Sequence, residues 1–252
     1  MVHFVGAGPG APDLITLRGK NLLEQTDVVI YAGSLVNPAL LEYVKEGCAV
    51  YNSASLTLPE VLSVMEQAEL DGKDTVRLHT GDPSVYGAIR EQMDGLDERG
   101  IPYENVPGVS SFCGAAAALH AEYTLPGVSQ TVILTRLEGR TPVPKGERMA
   151  SLAAHGASMA VFLSAGMTEE LSKELIEGGY PPETPAAIVY KATWPDERTV
   201  RTTVEGLSGA AKEAGIQKTA LILVGGFLGS DYERSRLYDP KFSHEFRQGT
   251  SE

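Results

Sequence analysis

Four stretches of this 252-residue sequence carry the residue types from which a site is built. The first, Gly6-Ala7-Gly8-Pro9-Gly10-Ala11-Pro12-Asp13, follows an apolar run, and its glycines let backbone approach a ligand closely. The second, Thr80-Gly81-Asp82-Pro83-Ser84-Val85-Tyr86-Gly87, puts an acid at the end of another β-branched run. Asp82 can accept hydrogen bonds from a ligand's hydroxyls or ammonium group, and a turn or capping role accounts for it equally well. The third, Pro107-Gly108-Val109-Ser110-Ser111, offers two hydroxyls and backbone N–H groups where a strand turns toward a helix, a place where serine is also a good cap. The fourth runs from Leu134 to Pro142 and sets Arg136 and Arg140 in an otherwise acidic chain. That spacing suits a clamp for a ligand with several carboxylates; solvated surface arginine is the ordinary alternative.

These stretches need strands and helices to hold them. Val2 to Val5, Val28 to Tyr31 and Thr75 to Leu78 read as strands, and Thr16 to Gln25 and Leu58 to Leu70 as helices. The second of these helices puts Val61, Leu62, Met65 and Ala68 on one face. A further helix is expected from about Ser84, as its N-cap, to Glu98, and another in the alanine-rich Gly114 to Leu119. The alternation predicts a mainly parallel sheet covered on both faces, with ligands at the carboxyl ends of its strands. It then restarts. Strands are expected at Thr131 to Thr135, Ser158 to Phe162, Ala187 to Tyr190, Thr199 to Thr203 and Ala220 to Val224. Helices are expected at Arg148 to Ala154, Thr168 to Glu177 and Leu207 to Ala214, and the last dozen residues as a loose tail. The fold class is therefore α/β in two domains, 1–113 and 114–252.

Composition removes several functions. With 42% hydrophobic and 21% charged residues the chain can bury a full core. Its net charge of −12 repels a phosphate backbone, which argues against nucleic acid as the main partner. No apolar run reaches the ~20 residues of a spanning helix. The start, Met1-Val2-His3-Phe4-Val5, shows no secretory pattern, so a cytoplasmic protein is expected with no membrane partner. Cys48 and Cys113 lack CxxC spacing and read as small buried hydrophobes. The five histidines show no ligand spacing, so no metal site is expected.

The first loop invites comparison with a dinucleotide cradle, which requires GxGxxG running into a helix and an acid after the second strand. Pro9 and Pro12 delay the helix, Ala11 stands where the third glycine belongs, and the second strand ends at Tyr31-Ala32-Gly33.

Taken together the loops resemble the tetrapyrrole methyltransferase superfamily, which uses S-adenosylmethionine, over nearly the whole chain. Within it, Tyr31-Ala32-Gly33-Ser34-Leu35-Val36, the stretch His79 to Gly87, Thr135 to Pro144, and Tyr190-Lys191-Ala192-Thr193-Trp194-Pro195-Asp196-Glu197 resemble the cobalamin-biosynthetic branch that methylates precorrin-4, or its cobalt form, at ring carbon 11. The resemblance implies a homodimer of subunits with two α/β domains, a cleft between them for the cofactor, and S-adenosylhomocysteine as product. Carried over by position, the cofactor contacts are Pro9, Thr80, Gly81, Asp82, Val85, Ser110, Ser111, Ser164, Ala192 and Ala220. Ser164 stands where relatives have Met, a small change if the contact is through the backbone. Arg136 and Arg140, with Lys191, are the implied partners of the macrocycle's carboxylates. Tyr86, Tyr123 and Trp194 are aromatic candidates for a flat-ring pocket, packing being the common use of such residues. Uroporphyrinogen-methylating relatives carry Asp just after the tyrosine of the second strand; here Ala32 and Gly33 fill that turn, so no general base is implied. A sulfonium methyl is already activated, so alignment is the protein's main task and can contribute on the order of 7–11 kcal/mol. Three alternatives stay open: another corrin carbon, an RNA or protein substrate within the superfamily, and a nicotinamide-dependent oxidoreductase.

Overall fold

The computed structural model describes residues 1–250. The chain divides into two compact units, Met1–Ala117 with Lys191–Arg198, and Ala118–Tyr190 with Thr199–Glu252. The sequence division at 113/114 differs from this by four residues inside the helix Ser111–Leu119 and at Lys191–Arg198, eight residues that a contiguous cut assigns to the second unit.

The first unit is a five-stranded sheet, β1 (Val2–Gly6), β2 (Val28–Tyr31), β3 (Ala49–Asn52), β4 (Thr75–His79) and β5 (Tyr103–Val106), in the order β3-β2-β4-β1-β5. All four pairings are parallel, with Val2 opposite both Thr75 and Tyr103. Strand alternation sends Val2, Phe4, Val28 and Ile30 to one face and Val5, Val29, Val76 and Leu78 to the other. Helix α1 (Leu17–Gln25) puts Leu23 on the second face. Helices α2 (Leu58–Leu70) and α3 (Arg90–Asp97) cover the first with Val61, Leu62, Met65, Ala68 and Leu96. Helix α2 starts where expected: the Thr57 N–H donates to Glu60 Oε2 at 2.7 Å, half of a capping box, and Pro59 sits in its first turn.

Helix α3 starts at Arg90 rather than near Ser84. Tyr86 and Ala88 take left-handed φ values of 56° and 49°, which a helix excludes. Ser84 instead donates its N–H to Asp82 Oδ1 at 2.8 Å in a turn. Edge strand β3 is absent from the sequence reading because its four residues are all exposed and carry no apolar period. Helix α4 (Ser111–Leu119) follows β5 directly.

The second unit holds β6 (Val132–Arg136), β7 (Ser158–Phe162), β8 (Pro185–Tyr190), β9 (Arg198–Thr203) and β10 (Ala220–Val224) in the order β6-β7-β10-β8-β9. Here β6 and β7 are parallel, while β10 runs antiparallel to both β7 and β8. Met159, Val161, Ala186, Ile188, Ile222 and Val224 face the helices α5 (Met149–Ala153), α6 (Thr168–Glu177) and α7 (Leu207–Glu213), which bury Met149, Leu171, Leu175 and Leu207 against them. Tyr123 lies 4.8 Å from Phe227 ring to ring in this unit, as packing.

The tail is less loose than its composition suggests. The Arg247 guanidinium donates to the carbonyls of Leu237 at 3.0 Å, Asp239 at 2.6 Å and Phe242 at 3.4 Å, gathering 237–247 into a turn. Residues 251 and 252 lie outside the described residues. Cys48 is half-buried and Cys113, near the start of α4, is exposed, so the expectation of two buried thiols is met in part at Cys48 and fails at Cys113.

Candidate functional site

Three loops leave the carboxyl ends of β1, β4 and β5 and meet through glycine. A Cβ on Gly6 would lie 2.5 Å from Gly108 Cα and 2.7 Å from Gly81 O, and one on Gly108 would lie 2.2 Å from Gly81 O. The neighbouring atoms are backbone, so no side-chain rotation relieves the overlap. Gly8 and Gly81, at φ 78° and 61°, complete the junction. The Gly81 N–H donates to Gly8 O at 2.8 Å, and the Ala7 N–H donates to His79 O at 2.7 Å.

Asp82 locks this arrangement. Its Oδ2 accepts from the Gly108 N–H at 2.8 Å, and its Oδ1 accepts from the Ser84 N–H at 2.8 Å and from the Ser84 hydroxyl. Burial works to raise its pKa, but the bonds from the Ser84 hydroxyl, the Gly108 N–H and the Ser84 N–H together hold the carboxyl below its ordinary value. Asp82 therefore has the turn role and an ionised carboxylate at once. Thr80 and Val85 are half-buried, Gly81 and Ser110 buried, and Ser111 opens α4 on the same edge.

The segment Lys191–Arg198 closes over the first loop. A Cβ on Gly10 would fall 2.1 Å from the Trp194 ring, and the Ala11 N–H donates to Thr193 Oγ1 at 2.9 Å. The Asn37 side chain donates to Gly10 O at 2.9 Å. Pro9 and Ala192 are both buried. Lys191 and Thr193 hold left-handed φ values of 47° and 68°, strain of the kind stored at functional sites. The Lys191 ammonium pairs with Asp196 at 2.6 Å and lies 5.1 Å from the Trp194 ring centre, so its charge already has a partner. Trp194 here packs against loop and lysine.

In the second unit, buried Ser164 donates its hydroxyl to Phe162 O at 2.7 Å and accepts from the Leu137 N–H at 2.9 Å, joining the ends of β7 and β6. Its hydroxyl is engaged on both sides and its carbonyl accepts from the Met167 N–H at 2.9 Å, so Ser164 braces this corner of the unit. The preceding Leu163 takes φ 54° and is 63% exposed. Ala220 opens β10, half-buried. Arg136 donates to Leu137 O, to Thr141 O at 3.2 Å and to Pro142 O at 2.8 Å, holding its own loop in shape. Arg140 is exposed on that loop. The two arginines are thus unlike: one frames, the other projects.

Sequence reasoning missed a pair of residues inside β4. Arg77 and His79 are 6% and 4% exposed and line a cavity of about 250 Å³ in the first unit, with Leu35, Leu56 and Tyr86 among its walls. The signal was present: Val76-Arg77-Leu78-His79 interrupts an apolar run with two polar residues on one face. Among the described residues, no group of three or more His, Cys, Asp and Glu side chains is placed to hold a metal.

An all-parallel sheet whose loops converge at its carboxyl edge, in one chain with a second mixed-sheet unit, defines a two-unit α/β protein, and the carboxyl edge is where sheets of this kind take ligands. The chain belongs to the tetrapyrrole (corrin/porphyrin) methylases, whose family model matches residues 1–208. It is 55% identical over 248 residues to the cobalt-precorrin-4 C(11)-methyltransferase of Methanocaldococcus jannaschii, covering 98% of this chain and 96% of that protein. The X-ray structure of a cobalamin biosynthetic enzyme, cobalt precorrin-4 methyltransferase, superposes with a TM-score of 0.89 at 50% identity, over 91% of this chain and 96% of that one. The uroporphyrin-III C-methyl transferase of Thermus thermophilus, complexed with S-adenyl homocysteine, matches with a TM-score of 0.75 at 28% identity, over 90% and 92% of the two chains.

Proposed function

We propose that this protein transfers a methyl group from S-adenosylmethionine to carbon 11 of precorrin-4 or cobalt-precorrin-4, in cobalamin biosynthesis, releasing S-adenosylhomocysteine. The observation that carries the reading is the junction of Gly6, Gly81 and Gly108, clasped by Asp82, in a chain of this family. The nicotinamide alternative loses its basis, because a 3₁₀ turn at Pro12–Leu14 separates the first loop from α1.

Bound S-adenosylmethionine supplies a methyl group already activated by a sulfonium. The chain's own part is to hold and aim. In the first unit, Pro9, Thr80, Gly81, Asp82, Val85, Ser110, Ser111 and Ala192 are the proposed contacts of this cofactor; Ser164 and Ala220 are the second unit's. The chemistry fits: an ionised Asp82 with lone pairs beyond its three internal bonds suits an ammonium or hydroxyl donor. Hydroxyls at Thr80, Ser110 and Ser111 and glycine-exposed backbone suit the rest. Arg140 is the proposed partner of the macrocycle's carboxylates, with Arg136 shaping its loop; Lys191 joins them only by leaving Asp196. A homodimer in the cytoplasm completes the proposal. Among the described residues no helix is long and apolar enough to cross a membrane.

The test is incubation with S-adenosylmethionine and a set of precorrin intermediates, with and without cobalt, followed by mass spectrometry and NMR location of the new methyl. A methyl on carbon 11 is expected; transfer to another carbon, or none, rejects the assignment.

A further inference from the structure

The side chains of Arg77 and His79 take no part in the glycine junction, which uses only the His79 carbonyl, and both are buried and line one cavity. Arg77 donates to Gln92 Oε1 at 2.9 Å and to Ile30 O at 3.2 Å, both neutral acceptors. Among the described residues no carboxylate lies within 4.0 Å of it. Buried charges are normally paired, so a guanidinium held this way is a countercharge waiting for its anion. Two residues along the same strand face, His79 Nε2 is buried with no hydrogen-bond partner among the described residues, and an orphan of that kind asks for a ligand. Both residues line the same cavity of about 250 Å³, several times the ~30 Å³ share of a water. Its walls are apolar at Leu35, Leu56, Val61 and Val85, and Glu91 stands exposed at its edge.

We propose that this cavity is a carboxylate pocket that takes one carboxylate-bearing side arm of the macrocycle, with Arg77 as countercharge and His79 Nε2–H as hydrogen-bond donor, the apolar walls packing the arm's methylene groups. One anion satisfies both residues. A pyrrole N–H would satisfy only His79, and an uncharged group would leave Arg77 unpaired. Burial, with Arg77 beside it, pushes the His79 pKa down to about 3, so the ring arrives neutral and donates from one nitrogen only. The strained loop at Tyr86 and Ala88 forms part of the lining, so the pocket's opening is set by the same backbone that keeps α3 from starting early. The inference rests on the methyl-transfer reading for the identity of its ligand.

The test uses uroporphyrin III, a stable octacarboxylate macrocycle, on the full-length protein. In wild-type protein labelled at histidine and already saturated with S-adenosylmethionine, whose proposed contacts Thr80 and Val85 share this lining, NMR should show the His79 ring signals moving saturably on addition of uroporphyrin III. His79→Leu should weaken uroporphyrin III binding about tenfold or more, a larger loss than any it causes in S-adenosylmethionine affinity. Ring signals that do not move, or a folded His79→Leu variant with wild-type macrocycle affinity, overturn the pocket. Should the variant fail to fold, the wild-type ring signals alone decide. Failure of methyl transfer to every precorrin, with His79 still responding to uroporphyrin III, would reject the function and leave the pocket standing.

Discussion

Replacing Asp82 with Ala removes three hydrogen bonds at once, and the structure says which of them matter. The bond from the Gly108 N–H spans two loops and is partly buried, whereas the two from Ser84 are local and exposed. A hydrogen bond to a charged group contributes about 1.5–3 kcal/mol when desolvated, and exposure lowers the Ser84 pair toward a few tenths, so a total near 2 kcal/mol is expected. For a chain of this size that is a fall in Tm of about 4–8 °C. The pH dependence has a sign. Asp82 is held below its unfolded value, so its contribution is full above about pH 4 and fades as pH falls through the folded pKa. Differential scanning calorimetry of wild type and Asp82→Ala at pH 7 and at pH 3 should show a gap that narrows in acid. Isothermal titration should show weaker S-adenosylmethionine binding for the variant at pH 7. Equal Tm values at pH 7 would refute the clasp; a gap unchanged at pH 3 would refute its dependence on the ionised carboxylate.

Other perturbations follow from the same geometry. Gly6→Ala places a Cβ 2.5 Å from Gly108 Cα, and overpacking of this kind costs about 1–3 kcal/mol, so thermal unfolding should fall and methyl transfer should fall with it. Arg140→Ala should weaken macrocycle binding in a fluorescence titration while S-adenosylmethionine affinity holds; unchanged macrocycle affinity removes Arg140 from the site. Met65→Ala empties a fully buried position between α2 and the sheet and should cost about 2–5 kcal/mol in urea unfolding, with no change in ligand affinity of the folded protein.

Much of the scaffold was legible because burial writes itself into period. The four α2 residues expected on one face are the four that are buried, and β2, β7, α6 and β10 occupy the expected residues. What was not legible depends on contacts far apart in sequence or on backbone values that composition does not encode. Strand β3 lacks a buried face; the stretch before α3 looks helical until Tyr86 and Ala88 turn left-handed. Asp82 was visible as an acid at a strand's end, but its partner Gly108, 26 residues away, was not. Arg136 looked like half of a clamp, and only its bonds to Thr141 O and Pro142 O reveal a frame.

The seat of Lys191–Arg198 has a consequence for how the protein is made. The Thr193 hydroxyl that receives the Ala11 N–H stands 182 residues downstream of it. At roughly 5–20 residues per second, a ribosome that has finished the first loop needs on the order of 10 s or longer before the residues that cover it exist. Gly10 and Ala11 emerge early and wait. The first sheet can assemble during that interval, but its first loop reaches its final form only once Lys191–Arg198 have been made, so a chain interrupted before them carries the sheet without the covered loop.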